Sequence, residues 1–593
     1  RETPIFVASE DSDWLHMHSL ARDVLRARSN LTATEQAELH ARASHWFAQQ
    51  EMLEDAARHA LAAGQREAAF DLAERSLYEA LMRRGHQSAV LEWVSRLPGA
   101  ELDKRPRLLL AAAWALALSA RHQEAERLVA RILKHADTDA ALRCECALIL
   151  SGAAAFADDP DHFAELHDPW SESPPLSDPV LLYVHANRNA FRAIFEGNPA
   201  QARLHQQQAP RVDFAGDFSH AFGYVTRWGE FVTALSYLWE GQVLLAESLL
   251  RPALASADAD LGRRDPFACM LAALLAAAVW ERDRRLDAAA LLANRLDVLE
   301  RTGLPDAVLL GYRTAARIAA ADGAEHRALE LLEAMHAVGV ARKWPRLCVA
   351  SLADQVRTHA RRFRAETCQA LCERIDALLA SDGVPQGRLW RRSVQLLRLL
   401  ARANAFIAAQ EWRRVLDPLK EADVLADSMK LGRVRIEIMA LRAFALDRNG
   451  EKSTALLREA IDLANAYGLE RLFVDLHPEL GDWSKRVSAE QSGASGPEER
   501  ASPPLRSLAA PMRAPRERDT GPRATPSMAL TPKEREVLEL LARNLSNKEI
   551  ALAMQVGEET IKWHLKNLFG KLAAGTRKQV VRRAELLGLL EPA

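Results

Sequence analysis

Apolar residues along most of this chain recur at intervals of three and four, which is the period of an amphipathic α-helix. A representative stretch has an apolar face at Leu109, Ala113 and Leu116, then a short break, then a second helical face at Leu128 and Ile132. Alternating patterns typical of strands are nearly absent between residues 40 and 480. The pattern therefore predicts an all-α fold made of consecutive helical hairpins.

The first residues follow a different pattern. Residues 5–9 and 14–17 predict two short strands that form a small hairpin, and a helix follows at Leu20. Because the chain begins at Arg1 rather than methionine, we expect a further domain upstream.

A spacing of five residues recurs between the predicted helices, with glycine first and alanine second. Glycine can end a helix in the left-handed conformation, and alanine lets the next helix pack closely against it. The spacing indicates a tetratricopeptide-like solenoid, which presents a concave binding face. The pairs are Gly64 and Ala69, Gly197 and Ala202, Gly241 and Ala246, Gly323 and Ala328, Gly450 and Ala455, with looser copies at Ala120 and Ala125 and at Asp283 and Ala288.

Aromatic residues are concentrated between residues 214 and 239. Their spacing fits a helix face that fills the seam between repeats, and it also fits a pocket for an effector. Both interpretations stay open at this stage. The candidate pocket residues are Tyr224, Trp228, Tyr237 and Trp239.

The composition changes after the helical region. Residues 491–528 contain seven prolines and no aromatic residue, which predicts a disordered linker. We place this linker at residues 481–528, and as a flexible coil its segment 491–528 would span roughly 30 to 35 Å.

Three short helices are predicted after the linker. The first has Thr531 as its N-cap, Pro532 at its first position and an inward stripe formed by Val537, Leu538 and Leu541.

The second begins at Ser546, where Glu549 completes a capping box, and buries Ile550 and Met554. A turn follows at residues 555–557.

The third predicted helix has one apolar and one polar face. Its apolar face consists of Ile561, Leu565, Leu568 and Leu572. The opposite face carries Lys562, Trp563 and Lys566. A helix is narrow enough to enter the major groove of B-DNA, where lysines reach phosphates and guanine edges. This arrangement predicts a helix-turn-helix with the third helix as the reading helix.

The segment resembles the LuxR-type DNA-binding domain over about 60 residues. The resemblance rests on Leu530-Thr531, on the box from Ser546 to Ala551, on Thr560-Ile561-Lys562 with His564, and on Gly588-Leu589-Leu590.

It implies a four-helix domain in which a reading helix contacts DNA and a fourth helix pairs two domains. The implied DNA-contacting residues are Thr560, Lys562, Trp563 and Lys566, and the implied pairing residues are Val580, Val581 and Ala584.

Two residues depart from the family pattern. Asn544 stands where glycine is usual. Gly557 replaces the usual serine or asparagine cap, and glycine is almost as favourable at a helix N-cap.

Other roles remain open for four side chains. The two lysines could be an ordinary solvated face, Trp563 could serve packing, and His564 could be structural or touch a phosphate.

Bulk composition adds a few constraints. The chain of 593 residues has a net charge of −2, yet residues 530–593 hold eleven basic against eight acidic side chains. Six scattered cysteines favour a reducing cytoplasm, and the apolar runs at 108–118 and 267–280 are too short for a bilayer, so we read them as buried helices. The acidic stretch at Asp158, Asp159 and Asp161 is expected to be solvated. Phosphate-binding and catalytic motifs are absent, so this chain is not expected to be an enzyme.

The order of segments is similar to that of the MalT-like regulators, which are large ATP-binding, STAND-type members of the LuxR family. The similarity includes the segments at 14–20 and 39–47. It implies a remnant of a winged-helix domain at 1–30, a helical arm at 31–100, a sensor solenoid at 101–480 and the LuxR-type domain at 529–593. It also implies that an ATPase module would lie upstream, so ATP would bind there and no cofactor is expected in this chain.

These patterns predict a cytoplasmic transcription regulator. Its repeats would sense a small molecule or a protein and control the pairing of LuxR-type domains on double-stranded promoter DNA, with self-association on DNA and RNA polymerase as a candidate partner. The alternative is a scaffold for protein interactions whose helix-turn-helix does not read DNA. A sequence-specific, salt-dependent interaction with DNA would distinguish the two.

Overall fold

The structure is a computed structural model that describes residues 6–8, 15–28, 31–84, 87–95, 102–118, 121–134, 139–210, 219–494, 532–543, 545–554, 556–571, 576–577, 580–581, 584 and 590. These residues are almost entirely helical, which confirms the predicted all-α class. Their contacts divide the chain into two compact units, residues 1–136 and residues 137–593.

The first unit begins with the predicted hairpin. Strands β1 (Phe6–Ala8) and β2 (Leu15–Met17) pair antiparallel, with Val7 opposite His16. Seven helices follow among the described residues: α1 (Ser19–Arg28), α2 (Ala33–Gln49), α3 (Leu53–Ala62), α4 (Arg66–Arg84), α5 (Gln87–Ser95), α6 (Pro106–Leu118) and α7 (His122–Ile132).

The second unit contains the longer series of helical hairpins. Its first helices are α8 (Ala140–Phe156), α9 (Pro160–His167), α10 (Pro179–Glu196), α11 (Pro199–Gln208), α12 (Ser219–Glu240), α13 (Val243–Asp260), α14 (Pro266–Glu281), α15 (Arg285–Leu292), α16 (Leu296–Thr302) and α17 (Pro305–Ala321). The series continues with α18 (Glu325–Ala341), α19 (Pro345–Ala360), α20 (Ala365–Leu379), α21 (Arg388–Ala408), α22 (Trp412–Ser428), α23 (Gly432–Arg448), α24 (Thr454–Tyr467), α25 (Leu472–Leu476) and α26 (Pro478–Ala494). Three further helices are α27 (Pro532–Ala542), α28 (Asn547–Ala553) and α29 (Glu558–Lys571).

The glycines of the repeat spacing do what the sequence predicts. Gly64, Gly197, Gly241, Gly323 and Gly450 all have φ between 78° and 85°, the left-handed region that ends a helix. In four of the five pairs the alanine is fully buried. The copy at Asp283 behaves alike, with φ of 53°, whereas Ala120 lies outside the described residues.

Ala455 is the exception and the prediction of close packing there is wrong, because its side chain is exposed. The other helices begin two residues after their glycine, whereas α24 begins at Thr454, four residues after Gly450. The buried face of α24 is therefore displaced along the chain to Leu457 and Ala460.

Both apolar runs are buried helices, as predicted. Every residue of α14 from Phe267 to Glu281 is buried, and the same holds for 108–116 in α6. No helix among the described residues is long and apolar enough to cross a bilayer.

The hairpins of the second unit curl back on themselves. Residues about 190 to 230 positions apart therefore contact each other: Arg388 pairs with Glu196 at 2.7 Å, and Trp280 donates its indole N–H to Asp475 at 2.7 Å. An open array would show contacts between neighbouring repeats alone.

The acidic stretch at Asp158, Asp159 and Asp161 takes part in this closure, so the expectation that it is simply solvated is wrong. Asp158 is buried against the guanidinium of Arg346 at 2.6 Å. Asp159 caps α9 by accepting the N–H of His162.

Asp161 accepts the N–H groups of Leu389 and Trp390, both at 2.9 Å. It therefore caps α21 from a position more than 220 residues away.

One predicted boundary is also corrected. Helix α26 occupies Pro478–Ala494, so residues 481–494, which we assigned to the linker, are helical. The rest of the predicted linker, 495–528, lies outside the described residues. The limits of the arm and of the solenoid stay predictions.

Candidate nucleic-acid interface

Helices α27, α28 and α29 pack around a small apolar core. The stripe of α27 is buried as predicted, with Val537, Leu538 and Leu541 all less than 5% exposed. Ile550 and Met554 of α28 are buried as well. The predicted N-cap Thr531 lies outside the described residues.

The start of α28 is fixed by the predicted capping box. The side chain of Ser546 accepts the N–H of Glu549, and the carboxylate of Glu549 accepts the N–H of Ser546 at 2.7 Å. These hydrogen bonds hold the pKa of Glu549 below its usual value of 4.5.

A contact that the sequence did not suggest joins the loop before α28 to residue 577. The guanidinium of Arg577 donates to the backbone carbonyl of Leu545.

A tight turn leads from α28 into α29. The N–H of Val556 donates to the carbonyl of Ala551, and the carbonyl of Gly557 accepts the N–H groups of Thr560 and Ile561. Gly557 therefore ends the turn and starts the helix, which agrees with its predicted role as a cap.

Helix α29 has the two faces that the sequence predicts. Ile561, Leu565 and Leu568 are at most 5% exposed. The other face carries Thr560, Lys562, Trp563 and Lys566, all of them exposed. Trp563 is 59% exposed, which is unusual for the largest apolar side chain unless a partner covers it. The face therefore combines two ammonium groups, a hydroxyl and an indole at the surface.

His564 lies between the two faces of α29. Its ring is partly buried and meets the Trp563 ring edge-on, with 4.9 Å between centroids. Its Nδ1 is buried and has no hydrogen-bond partner among the described residues. The contact packs the partly buried ring of His564 against the indole of Trp563, which suits a structural role for this histidine.

The three residues implied as a pairing surface do not share one environment. Val580 and Ala584 are fully buried in the chain, and Val581 is partly buried. Among these three, Val581 is the one whose side chain reaches the surface, so pairing of two domains through this segment stays a prediction.

The aromatic residues considered for an effector pocket are placed in different surroundings. Trp228 packs edge-on against Phe267 and Phe231, with centroids 4.9 Å and 5.5 Å apart, as a core residue does. Tyr237 lies beneath the guanidinium of Arg203 at 4.7 Å, and Trp239 packs partly buried against the same core. The side chain of Tyr224 lies outside what the structure describes.

Comparison with known families identifies the C-terminal helices. Residues 528–584 match the GerE family, described as bacterial regulatory proteins, luxR family. The match covers α27, α28 and α29 and includes every residue of the exposed face of α29.

Some curated relatives extend over more of the chain. The HTH-type transcriptional regulator AlkS of Pseudomonas putida is 23% identical over 597 residues, which covers 97% of this chain and 64% of AlkS. The serine/threonine-protein kinase PknK of Mycobacterium tuberculosis is 27% identical over 357 residues, which covers 59% of this chain and 31% of PknK. The chain thus spans about a third of PknK and less than two thirds of AlkS.

Similarity to solved structures is partial. A Rap protein in complex with the competence and sporulation factor has a TM-score of 0.47 and 12% identity, and the similarity covers 65% of this chain and 99% of that protein.

The family match and the similarity to AlkS point the same way, and both agree with the helix-turn-helix geometry. The chain is therefore a homologue of LuxR-family transcription regulators and carries the helix-turn-helix domain of that family at residues 528–584.

Proposed function

We propose that this protein binds promoter DNA through α29 and that its helical repeats sense an effector that controls this binding. The observation that carries the proposal is the exposed face of α29, which presents Lys562, Trp563 and Lys566 outward from a helix whose other side is buried. Side chains on such a face reach the phosphates and base edges of the major groove.

The charge balance supports the same assignment. Residues 530–593 carry eleven basic against eight acidic side chains, whereas the whole chain has a net charge of −2. Attraction to phosphate is therefore concentrated in the part of the chain that holds the helix-turn-helix.

Sensing is assigned to the second unit. Its hairpins close on themselves, and the last of its helices before residue 495, α26, directly precedes the segment that leads to the DNA-binding helices. A change in the closed hairpins can therefore alter how two DNA-binding domains meet on paired half-sites. Coupling of this kind amounts to about 1 to 3 kcal/mol.

The experiment is a selection of genomic fragments by the purified chain at two salt concentrations, with sequencing of the bound DNA. We expect an enriched motif with two half-sites and binding that weakens as salt increases. Retention of all fragments alike, with no enriched motif, would contradict a regulator and favour the scaffold alternative.

The proposal takes no promoter or inducer from AlkS, of which this chain spans 64% at 23% identity. The effector is instead inferred from the chemistry of the second unit.

A further inference from the structure

A pocket lined by arginines lies inside the second unit, where α17, α19 and α25 meet. Its volume is about 30 Å³, and it opens to solvent. Four arginines and two aspartates supply its charged lining: Arg313, Arg317, Arg357, Arg361, Asp354 and Asp475. The pocket exists because the hairpins curl back, since Asp475 is more than 110 residues away from the other five.

The arrangement of the arginines works against the stability of the helices. Arg313 and Arg317 are four residues apart on α17, and Arg357 and Arg361 are four residues apart at the end of α19. Like charges at this spacing repel each other on one helix face. Four guanidinium groups that converge on one pocket therefore need compensation, by carboxylates or by a bound anion.

Three of the four arginines already have carboxylate partners. Arg313 binds Asp354 at 2.6 Å and Arg317 binds Glu281 at 3.3 Å. Arg357 donates to Glu437 at 2.5 Å.

The Nε of Arg357, in contrast, is buried and has no hydrogen-bond partner among the described residues. This N–H group of Arg357 is therefore available to donate to a ligand.

Arg361 is the least compensated of the four. It forms no side-chain hydrogen bond and no ion pair with the residues that the structure describes. Burial lowers its pKa, and the charge of Asp475 opposes this effect in part. Burial also lowers the pKa of Arg317 to about 10, with the nearby Arg433 acting in the same direction.

The aspartates of the pocket are already engaged. Asp354 is held by Arg313, and Asp475 accepts the indole N–H of Trp280 and lies 3.3 Å from the guanidinium of Arg471. Asp475 attracts Arg361 through its charge, but neither carboxylate hydrogen-bonds to Arg361 among the described residues. The local surplus of positive charge is therefore open to an added anion.

We propose that this pocket binds a small organic or inorganic anion through its carboxylate or phosphate group, with Arg361 and Arg357 as the principal donors. Guanidinium groups match both kinds of oxyanion because two parallel N–H groups meet two oxygens. This inference rests on the proposed function, since it names the class of effector that the repeats sense.

The position of the pocket links the ligand to the DNA-binding end of the chain. Asp475 belongs to α25, and α26 begins three residues later and precedes the linker. An anion held between α19 and α25 would strengthen the contact between distant parts of the unit. The orientation of α26 would then depend on whether the pocket is occupied.

The test uses the full chain and isothermal titration calorimetry with inorganic phosphate and with citrate as probes, at constant ionic strength in chloride. We expect one of the two probes to bind, and their ranking distinguishes a phosphate from a carboxylate ligand. Arg361→Gln should weaken that binding about tenfold, the effect of losing one charge-assisted pair. Arg362→Gln is the matched control, because its side chain is 67% exposed and outside the pocket.

Two results would overturn the proposal: no heat of binding for either probe, or equal weakening by Arg361→Gln and Arg362→Gln. If Arg361→Gln does not fold, Arg361→Lys keeps the charge without the paired donors and should still bind less tightly than the wild type. Affinity equal to the wild type in Arg361→Lys would count against the assigned geometry.

The titration contains no DNA, so its outcome is independent of the proposed function. If the chain binds specific DNA but neither anion, the inference about the pocket is wrong and the proposed function is unaffected. If the chain binds an anion but no specific DNA, the anion-binding pocket is supported and the proposed function as a regulator is wrong.

Discussion

The indole N–H of Trp280 donates to a carboxylate oxygen of Asp475, 195 residues further along the chain, at 2.7 Å. Both side chains are buried, and the guanidinium of Arg471 lies over the same indole with 4.2 Å to its ring centroid. This hydrogen bond joins α14 to α25 and closes the series of hairpins. Its removal would leave one oxygen of a buried carboxylate without its donor, since Arg471 binds the other oxygen.

Trp280→Phe should therefore destabilise the second unit. Phenylalanine keeps an aromatic ring beneath Arg471 but cannot donate to Asp475. We expect the free energy of unfolding to fall by about 1 to 3 kcal/mol, measured by urea unfolding followed by circular dichroism. Trp46→Phe is the control, because Trp46 is 46% exposed and its replacement should change little. Equal effects of the two substitutions would show that the hydrogen bond contributes nothing.

Asp161→Ala should loosen the start of α21. The carboxylate of Asp161 accepts the N–H groups of Leu389 and Trp390, so its removal leaves two donors without their acceptor. The loss of such a cap costs about 1 to 2 kcal/mol, and thermal unfolding should shift to lower temperature. The control is Glu165→Ala, which removes an exposed carboxylate on α9, the helix that carries Asp161, and should leave the unfolding temperature unchanged. An unchanged transition in Asp161→Ala would contradict the capping role.

Lys562→Ala and Lys566→Ala should each weaken binding to the selected DNA while leaving the fold intact. Both side chains are exposed, so neither substitution opens the core. If a lysine contacts a phosphate, the slope of log affinity against log salt should decrease by about 1, measured by fluorescence anisotropy over a salt series. Lys533→Ala is the control, since Lys533 on α27 is engaged by Glu536. An affinity and a slope like the wild type in both variants would remove α29 from the interface.

The second unit should lose stability as the pH falls from 6.5 to 4. Burial lowers the pKa of His477 from its usual 6.5 to about 4. In this window the unfolded chain takes up a proton that the folded chain does not, so a contribution that is full above pH 6.5 is lost on acidification. The loss of stability from His477 alone amounts to roughly 3 kcal/mol. His167 acts in the same direction, with a pKa of about 4.

His477→Asn isolates one of these two histidines. The asparagine side chain can still accept the N–H of Glu479, which His477 accepts through Nδ1 at 3.3 Å. The variant should show a shallower loss of stability than the wild type in urea unfolding at pH 7, 6, 5 and 4. His326→Asn replaces an exposed histidine and should retain the wild-type profile. If the free energy of unfolding falls as steeply with pH in His477→Asn as in the wild type, His477 is not the group responsible.

The turns show how far the sequence predicts this fold. The spacing of five residues holds beyond the glycines: Lys343 and Phe363 also have positive φ, and the residues five positions later, Cys348 and Cys368, are buried. Packing of the next helix imposes this conformation on side chains that do not favour it. A search for glycine and alanine therefore finds part of the turns and misses the rest.

The three described helices of the helix-turn-helix could be predicted, because the capping box at Ser546 and the apolar stripes are local features of the sequence. The arginine pocket could not. Arg317 and Arg361 belong to helices that look like ordinary charged helices, and Asp475 reaches them through the closure of the hairpins alone. Pairings over such distances leave no periodic signal in the sequence.

The cap that Asp161 provides for α21 also limits how this region can change in evolution. Duplication or deletion of a hairpin between the two would move Leu389 and Trp390 away from the carboxylate of Asp161. It would also move Asp475 away from the indole N–H of Trp280. Open arrays of repeats tolerate such changes, since each repeat contacts only the repeats next to it. Related proteins that preserve this closure should therefore keep a constant number of hairpins between these contacts and differ in the lengths of their surface loops.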